Sequence, residues 1–298
     1  MAIKDNFKKA LLNFAYQVIS WNSQTLNQHY PKIVCFSFDY ISNYINCYGR
    51  YEDAQLRKLR EIIEQERDGQ RKTALDIGAN IGNHTIYFSD FFDKVIAFEP
   101  NPITYSVLKI NTNQLGNIVC LDTGVSSKKG SIGFQVNKLN MGGSRISPSN
   151  YIDQDYLSQI SINVLPVDDI NEVKSEPIEF IKIDVEGHEI EVIRGMTNTL
   201  YINKPIIAFE QEATEIIDGT SMSINELKNL GYNYFYSIES RRSKVNSNMH
   251  PFLRVPLQLI EIIFFGDGKD IAEFNQVSYF ERKQYNMIIA STKLIPVN

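Results

Sequence analysis

The chain has 298 residues, enough for one large domain with additions or for two small domains. Hydrophobic residues make up 43% and charged residues 22% of it, which is the balance of a folded protein and excludes global disorder. The formal net charge of -5 provides no basic surface for phosphate backbones, so we expect no nucleic-acid partner.

The cysteines and the N-terminal segment bear on where the protein works. Cys35, Cys47 and Cys120 are widely spaced and form no C-x-x-C pair, which argues against disulfides or a zinc site and favours a reducing cytoplasm. Residues 1–21 place apolar side chains at helical spacing without the uninterrupted apolar core of a signal peptide, so they predict an amphipathic helix.

The most apolar run elsewhere, residues 257–265, contains Glu261 and is far shorter than the roughly 20 residues of a membrane span. The sequence therefore predicts a cytoplasmic protein with no transmembrane segment, attached to a membrane at most peripherally. It gives no indication of the oligomeric state.

Residues 1–70 are predicted to form a helical cap outside the core, since Leu56, Leu59, Ile62 and Ile63 recur at helical spacing among charged neighbours. From Thr73 onward, short apolar runs alternate with amphipathic stretches, which is typical of βαβ units in a mostly parallel sheet. The predicted strands are 73–77, 94–99, 118–122, 178–183, 205–210, 231–237 and 286–291, and the predicted helices are 83–92, 102–115, 187–196 and 223–230.

Two insertions interrupt this domain, which we assign to residues 71–298. The first, near 130–165, contains extra strands at 131–136 and 160–167 that flank the polar segment 140–145. The second, near 239–280, begins with a polar and basic stretch. Long connections in α/β domains are often lids, so both insertions are candidate substrate-facing loops.

A glycine loop follows the first predicted strand, with Asp76 at the strand end and Gly78 and Gly82 before the next helix. Glycines allow a sharp turn and close approach to a ligand, and a helix N-terminus offers free N–H groups. Glu99 ends the second strand, where a carboxylate can accept hydrogen bonds from ribose hydroxyls. These residues predict a nucleotide-like ligand, although the glycines alone are also compatible with a plain βα turn.

The charge beside the loop separates two nucleotide-like ligands. The pattern D-x-G-x-x-x-G places the carboxylate of Asp76 next to the ligand, where it would repel the pyrophosphate of a dinucleotide. The same carboxylate suits a ligand that carries a sulfonium and an ammonium group. This favours S-adenosylmethionine over NAD, and an NAD-linked oxidoreductase is a lower-ranked alternative.

Four runs, in this order and at ordinary spacing, resemble the FkbM family of methyltransferases over residues 48–211. They are Leu75-Asp-Ile-Gly-Ala-Asn-Ile-Gly-Asn-His84, Ala97-Phe-Glu-Pro-Asn-Pro102, Leu121-Asp-Thr-Gly-Val-Ser126 and Ile181-Lys-Ile-Asp-Val-Glu-Gly-His-Glu189. The resemblance implies a class I methyltransferase fold, an α/β three-layer sandwich of Rossmann-like type whose seven-stranded, mostly parallel sheet has an antiparallel last strand. It also implies S-adenosyl-L-methionine as cofactor and O-methylation of sugars, polyketides or other secondary metabolites.

The resemblance further implies a set of cofactor-binding residues. The loop would contact the methionine end of the cofactor, Glu99 the ribose, and Asp122 and Gly124 the adenine, whereas Asp122 could instead cap a turn and Glu52 could begin a surface helix. The full candidate set is Glu52, Asp76, Gly78, Ala79, Asn80, Gly82, Asn83, His84, Glu99, Pro100, Asp122, Gly124 and Asp184.

The end of the fourth core strand carries the candidate catalytic residues, which in order of preference are Asp184, Glu186 and His188. Open α/β sheets bind ligands at this edge, and methyl transfer to an alcohol needs a group that takes the hydroxyl proton. Asp184 could instead contact the cofactor, Glu186 could stabilise the following helix, and His188 could be a solvated surface residue. We predict no bound metal, although a divalent cation held by Asp184 and Glu210 is left open.

The acceptor is the least determined part of the prediction. No [Asp/Asn]-Pro-Pro-[Tyr/Phe] run follows Asp184, which disfavours nucleobase amines and favours an oxygen acceptor. The leading hypothesis is a sugar or glycan hydroxyl, with candidate substrate-binding residues Asn140, Gly142, Ser144 and Glu210. The alternatives are a polyketide or lipid-linked acceptor, or a catalytically silent cofactor-binding subunit of a glycan-assembly complex.

Overall fold

The computed structural model describes residues 2–70, 72–137, 143–146, 156–240, 257 and 271–297. Asn140 and Gly142, two of the predicted substrate-binding residues, lie outside these ranges, as does most of the predicted insertion near 239–280. No helix formed by the described residues is long and apolar enough to cross a membrane.

The helices and strands alternate along most of the chain. The helices are α1 (Ala2–His29), α2 (Tyr40–Tyr48), α3 (Asp53–Glu66), α4 (Asn83–Ser89), α5 (Pro102–Thr112), α6 (Asn171–Lys174), α7 (Glu189–Arg194), α8 (Thr197–Asn203) and α9 (Met222–Asn229). The strands are β1 (Thr73–Ile77), β2 (Lys94–Phe98), β3 (Ile118–Leu121), β4 (Gly124–Val125), β5 (Gly130–Asn137), β6 (Arg145–Ile146), β7 (Tyr156–Leu165), β8 (Ile178–Ile183), β9 (Ile206–Gln211), β10 (Tyr234–Ser240), β11 (Ala272–Gln276) and β12 (Tyr285–Ser291).

The main sheet has eight strands in the order β11-β10-β12-β9-β8-β1-β2-β3. Strands β9, β8, β1, β2 and β3 are parallel to their neighbours, and β12 runs antiparallel between β9 and β10. The predicted α/β class and the antiparallel last strand are therefore present. The central strands are buried on both faces, which explains why each reads as a continuous apolar run.

The prediction of seven strands is wrong by one, because β11 adds an eighth strand at the edge of the sheet and pairs antiparallel with β10. Only Phe274 of this strand is buried, and the remaining residues of Ala-Glu-Phe-Asn-Gln are partly or fully exposed. A strand with a single buried residue has no alternating apolar pattern to detect, so its sequence was assigned to an insertion.

Strands β4, β7, β5 and β6 form a separate four-stranded sheet in that order. Strands β5 and β7 are the two extra strands predicted in the first insertion, and they pair antiparallel over their whole length. Phe134, Val136, Ile162 and Val164 give this sheet a small core of its own. The insertion is therefore an ordered structure beside the main sheet.

Helix α3 does not lie outside the core, as predicted for residues 1–70. Leu56 and Leu59 are fully buried and pack in one cluster with Phe88, Phe180 and Tyr236. The helical periodicity was detected correctly, but the same apolar stripe that a cap would need also serves to cover one face of the sheet. The predicted division at residue 70 between a cap and the methyltransferase domain stays a prediction.

Candidate active site

A cavity of about 970 Å³, counting the part open to solvent, lies at the carboxyl ends of β1, β2 and β8. Gly78, Asn80 and Glu99 line one side, which we call the loop half. The other side, which we call the acidic half, is lined by Asp184, Glu186 and Glu210. Strand ends of a parallel sheet bind ligands at this edge, so the predicted cofactor and catalytic regions share one cavity.

Two further surfaces complete the cavity. Ile41, Tyr51 and Glu52 come from the N-terminal segment, and Phe134, Ser144 and Ile146 come from the four-stranded sheet. Neither surface belongs to the central sheet. Both parts of the chain that were predicted as additions to the core therefore contribute to the wall of the site.

The glycine loop is held against β8 and β2. Gly78 has φ +85°, and a Cβ placed on it would lie 1.8 Å from the carbonyl oxygen of Asp184. Its N–H donates to the carbonyl oxygen of Phe98 at 3.0 Å. No other residue fits Gly78 without moving the end of β8, so this glycine sets the distance between the loop and the acidic half.

Glu99 is buried and accepts two backbone hydrogen bonds, from the N–H of Asn80 at 2.9 Å and from the N–H of Asn101 at 2.8 Å. Burial raises the pKa of Glu99 to about 7, against the effect of these two donors. A carboxylate has about four acceptor positions, so two stay available for the hydroxyls of a bound ligand. The predicted ribose-binding residue therefore has a defined orientation on the cavity wall.

Asp76 departs from its predicted place on the cavity wall. It is fully buried beneath the loop, where its Oδ2 accepts a hydrogen bond from the hydroxyl of Thr85 at 2.6 Å. Its Oδ1 lies 3.8 Å from Nζ of Lys182 and has no hydrogen-bond partner. In this position Asp76 supports the loop and the charge of Lys182, rather than presenting a carboxylate to the cavity.

The remaining predicted cofactor residues divide into two groups. Glu52, Pro100, Gly124 and Asp184 line the cavity together with Gly78, Asn80 and Glu99. Asp122 is exposed, and its neighbours Thr123 and Gly124 line the wall instead. The residues that do not line the cavity are Asp76, Ala79, Gly82, Asn83, His84 and Asp122.

Asn83 and His84 act on the N-terminal segment that covers the cavity. The side chain of Asn83 donates to the carbonyl of Tyr51 at 3.0 Å and accepts from its N–H at 3.2 Å. His84 Nε2 lies 3.4 Å from a carboxylate oxygen of Glu52, whose other oxygen accepts from Asn286 at 3.4 Å. Helix α4 thus positions Tyr51 and Glu52 over the site.

The acidic half brings three carboxyl groups together, with one oxygen each of Asp184, Glu186 and Glu210 within 4.8 Å of one another. Asp184 ends β8, Glu186 has φ +53° in the following turn, and Glu210 lies on the neighbouring strand β9. Like charges at this spacing cannot all be ionised at neutral pH without a compensating cation.

Lys182, two residues before Asp184 on β8, provides that cation. Its Nζ lies 2.9 Å from Oδ2 of Asp184, and the lysine is buried. Burial raises the pKa of Asp184, but the Lys182 ammonium outweighs this and holds the pKa below its usual range. Burial would likewise lower the pKa of Lys182, and the carboxylates of Asp184 and Asp76 outweigh it and raise that pKa.

The other two carboxyl groups are shifted in the opposite direction. Burial, followed by the charge of Asp184, raises the pKa of Glu186 to about 8. Burial and the charges of Asp184 and Glu186 also raise the pKa of Glu210, which is hydrogen-bonded to Asp184 and accepts from Gln284 at 2.6 Å. At neutral pH the cluster therefore holds one ionised carboxylate, Asp184, between two protonated neighbours.

His188 lies away from the acidic half. Its Nε2 is 3.0 Å from the hydroxyl oxygen of Ser126, it does not line the cavity, and burial lowers its pKa. The next residue, Glu189, is buried and accepts hydrogen bonds from the N–H groups of Val185 and Gly187, both at 3.2 Å. Both residues hold the start of α7, so of the three predicted catalytic residues only Asp184 and Glu186 face the site.

Two of the predicted substrate-binding residues, Ser144 and Glu210, line the cavity. Ser144 is buried, and its hydroxyl oxygen accepts from the N–H of Asn137 at 3.0 Å. These two residues come from the four-stranded sheet and from β9, on opposite sides of the acidic half. A molecule that touched both would pass directly over Asp184.

The sequence prediction missed Lys182, Tyr51 and Asn286. A signal for Lys182 was present, because a lysine in the apolar run Phe-Ile-Lys-Ile-Asp shares a strand face with the aspartate two residues later. Tyr51 and Asn286 are far from the acidic half in sequence, and nothing local marks them.

The loop half has unused hydrogen-bonding capacity that fits a polar cofactor. The Oδ1 of Asn80 is buried without a hydrogen-bond partner, and Glu99 retains acceptor positions beside it. Acceptor atoms in this position suit the ammonium and hydroxyl donors of S-adenosylmethionine. The three oxygens of the acidic half could also hold a divalent cation, but Lys182 already supplies their counter-charge.

Residues 76–234 match the model of the FkbM methyltransferase domain. The chain is 35% identical over 154 residues to the hexuronic acid methyltransferase AglP of Haloferax volcanii, covering 51% of this chain and 59% of that protein. It is 28% identical over 140 residues to the 2-O-methyltransferase NoeI of Sinorhizobium fredii, covering 42% and 58%. The matches therefore span less than two thirds of these relatives. Among solved structures, an FkbM methyltransferase of Methylobacillus flagellatus KT aligns with a TM-score of 0.41 at 15% identity, over 90% of this chain and 57% of that one.

Proposed function

Since the chain belongs to the FkbM methyltransferase family, we propose that it transfers the methyl group of S-adenosylmethionine to a hydroxyl oxygen of a sugar or glycan. The observation that carries this proposal is the ionised carboxylate of Asp184, held by Lys182 at 2.9 Å in the same cavity as Glu99 and the glycine loop. An oxygen nucleophile has a proton to lose, and the site keeps one carboxylate ready to take it.

The residues divide the work as follows. When bound, S-adenosylmethionine supplies a methyl carbon activated by its sulfonium. Glu99 and Asn80 hold the cofactor in the loop half through acceptor oxygens. Asp184 accepts the proton of the acceptor hydroxyl while that oxygen bonds to the methyl carbon and the carbon–sulfur bond breaks, leaving S-adenosylhomocysteine and protonated Asp184.

Asp184 is a better base candidate than its neighbour Glu186. A general base must be deprotonated before the reaction, and Glu186 keeps its proton up to a pH of about 8. Asp184 stays ionised because of Lys182. Protonated Glu186 and Glu210 are instead suited to donate hydrogen bonds to oxygens of the acceptor, which favours a ligand rich in hydroxyls.

The relatives support a sugar as acceptor, since AglP is named for hexuronic acid and NoeI for 2-O-methylation. The cavity favours an uncharged sugar over a uronate. Of the described residues that line it, Glu52, Glu99, Asp184, Glu186 and Glu210 are acidic, and none is basic. An acceptor carboxylate would meet only like charges or protonated acids there.

The test is to incubate the protein with methyl-labelled S-adenosylmethionine and two matched acceptors, a glucoside and the corresponding glucuronoside. We expect label in the glucoside and at least about a tenfold lower kcat/KM for the glucuronoside, equivalent to one unfavourable charge contact. Equal or faster labelling of the glucuronoside would contradict the charge argument and leave sugar methylation intact. Label found only in polyketide or lipid-linked acceptors would contradict the sugar, and binding without any turnover would indicate the silent subunit.

A further inference from the structure

Helix α1 extends away from the rest of the described chain. Every side chain from residue 5 to residue 19 is exposed. Only the C-terminal part of the helix is attached, for example where Asn22 Nδ2 donates to the carbonyl oxygen of Cys47 in α2 at 2.7 Å. About two thirds of a 28-residue helix therefore has no protein surface beneath it among the described residues.

The exposed part of α1 carries an apolar stripe at heptad spacing. Phe7, Leu11, Phe14, Val18 and Trp21 follow one another at intervals of four, three, four and three residues. Their exposures are 69%, 57%, 67%, 45% and 74%. A mean interval of 3.5 residues keeps side chains on one seam of a helix that packs along another helix, and it is the pattern of a coiled coil.

A partner for this stripe would resolve a physical difficulty. Isolated helices shorter than about 12–15 residues are marginal in water, and most helical stability in proteins comes from packing of an apolar face. The free part of α1 has that length and leaves its apolar face in solvent. The stripe therefore points to a second helix that lies along it.

We propose that the occupant of this stripe is α1 of a second copy of the chain, so that the protein is a homodimer joined by a coiled coil. The charge along the helix favours this occupant. Residues 10–28 contain no Asp, Glu, Lys or Arg, so two identical helices meet without like-charge repulsion. A helix that lies on a membrane surface is instead rich in Lys and Arg along its polar face, whereas the lysines of α1 are confined to residues 4–9.

The area available on the stripe is sufficient for a specific dimer. Phe7, Phe14 and Trp21 from each of two helices would together cover at most about 900–1,500 Å², at roughly 150–250 Å² for each aromatic side chain. Leu11 and Val18 add to this sum. A specific protein–protein interface needs about 1,000 Å² in total.

The experiment is sedimentation equilibrium on the full chain and on two double variants, with circular dichroism to verify folding. Leu11→Glu/Val18→Glu places two carboxylates on the stripe. Asn6→Glu/Asn13→Glu adds the same charge to exposed positions of the same helix that lie off the stripe. We expect a dimer of the 34.2 kDa chain, unchanged in the control pair, and a dissociation constant raised at least about thirtyfold in the stripe pair.

Three outcomes would overturn the proposal. The first is a wild-type chain that stays monomeric at the highest concentration reached, and the second is an equally stable dimer in the stripe pair. The third is a monomer that sediments with vesicles of phosphatidylcholine and phosphatidylglycerol and loses this property in the stripe pair, which would assign the stripe to a membrane surface. If the stripe pair fails to fold, Phe14→Ala, which adds no charge, should still weaken the dimer relative to Asn13→Ala.

Discussion

The loop half and the acidic half of the cavity satisfy their buried carboxylates with different partners. In the loop half, Glu99 accepts backbone N–H groups of Asn80 and Asn101, which are 19 and 2 positions away in the chain. In the acidic half, Asp184 depends on the side-chain charge of Lys182 and on a carboxyl group from the neighbouring strand. Backbone donors keep their hydrogen at every pH, whereas side-chain partners titrate and can be removed by a single substitution.

The comparison assigns cofactor binding to the loop half and proton transfer to the acidic half, and the largest expected effect tests this division. Asp184→Asn should lower kcat by about 10²–10⁴-fold, the usual range for loss of a general base, because the amide cannot accept the hydroxyl proton. Affinity for S-adenosylhomocysteine, measured by calorimetry, should change little. Asp93→Asn, an exposed position just before β2, is the control. Equal losses of turnover and affinity would make Asp184 a cofactor ligand instead.

Removal of the buried cation should damage the acidic half through stability. Lys182→Met leaves Asp184 and Asp76 without their common partner and should lower the free energy of unfolding by about 3–5 kcal/mol, measured by denaturant titration. The acid limb of the activity profile should move to higher pH, since Asp184 loses the charge that keeps its pKa low.

The matched control for that substitution is Lys94→Met, because Lys94 pairs with Glu176 at 2.6 Å but both side chains are partly exposed. It should cost only about 0–1 kcal/mol, as surface ion pairs usually do. A similar cost at both lysines would show that the Lys182 pair has no special importance for the site.

A smaller effect is expected in the loop half. Glu99→Ala should weaken S-adenosylhomocysteine binding by about 1–3 kcal/mol, the cost of losing charge-assisted hydrogen bonds. Hydroxyl donors favour the ionised carboxylate, so the affinity of the wild type should rise as the pH passes about 7, where free Glu99 titrates. In Glu99→Gln, which keeps one acceptor oxygen for the loop, this pH dependence should vanish. Unchanged affinity in both variants would remove the ribose assignment.

The smallest effect concerns Glu186. In the folded protein it keeps its proton up to a pH of about 8, whereas in the unfolded chain it loses the proton near 4.5. Between these values the folded state binds more protons, so the free energy of unfolding should fall as the pH rises. Glu186→Gln should flatten part of this decline in denaturant titrations at several pH values, and Glu172→Gln at an exposed position should not. A steeper decline in Glu186→Gln would reverse the assigned direction.

The order of strands and helices around the loop half was largely predictable from the sequence. Strands β1, β2 and β8 are short runs that are apolar on both faces, and α4 and α5 follow them at the expected places. The turn after β1 needs positive φ at Gly78 and Gly82, so glycine itself marks these positions. Local backbone chemistry of this kind leaves a local trace in the sequence.

The coarser features of the acidic half were also predictable, but its protonation was not. The sequence placed Asp184 and Glu186 at the end of one strand and Glu210 at the end of another, which is why they were candidates. It did not place Asp76 beneath the loop or turn His188 toward Ser126. The direction of a side chain depends on its packing partners, which come from elements far away in the chain.

The sequence by itself determined the α/β class, the glycine loop, Glu99 and the family to which the chain belongs, because each rests on neighbouring residues or a short repeat. Only the tertiary structure decided which carboxylate is ionised, that Tyr51 and Glu52 cover the cavity, and that α3 is part of the core. Charge, burial and hydrogen bonding at a site are sums over groups brought together by the fold. Those sums depend on distances between residues such as Lys182, Asp184 and Glu210, and the order of residues along the chain does not contain them.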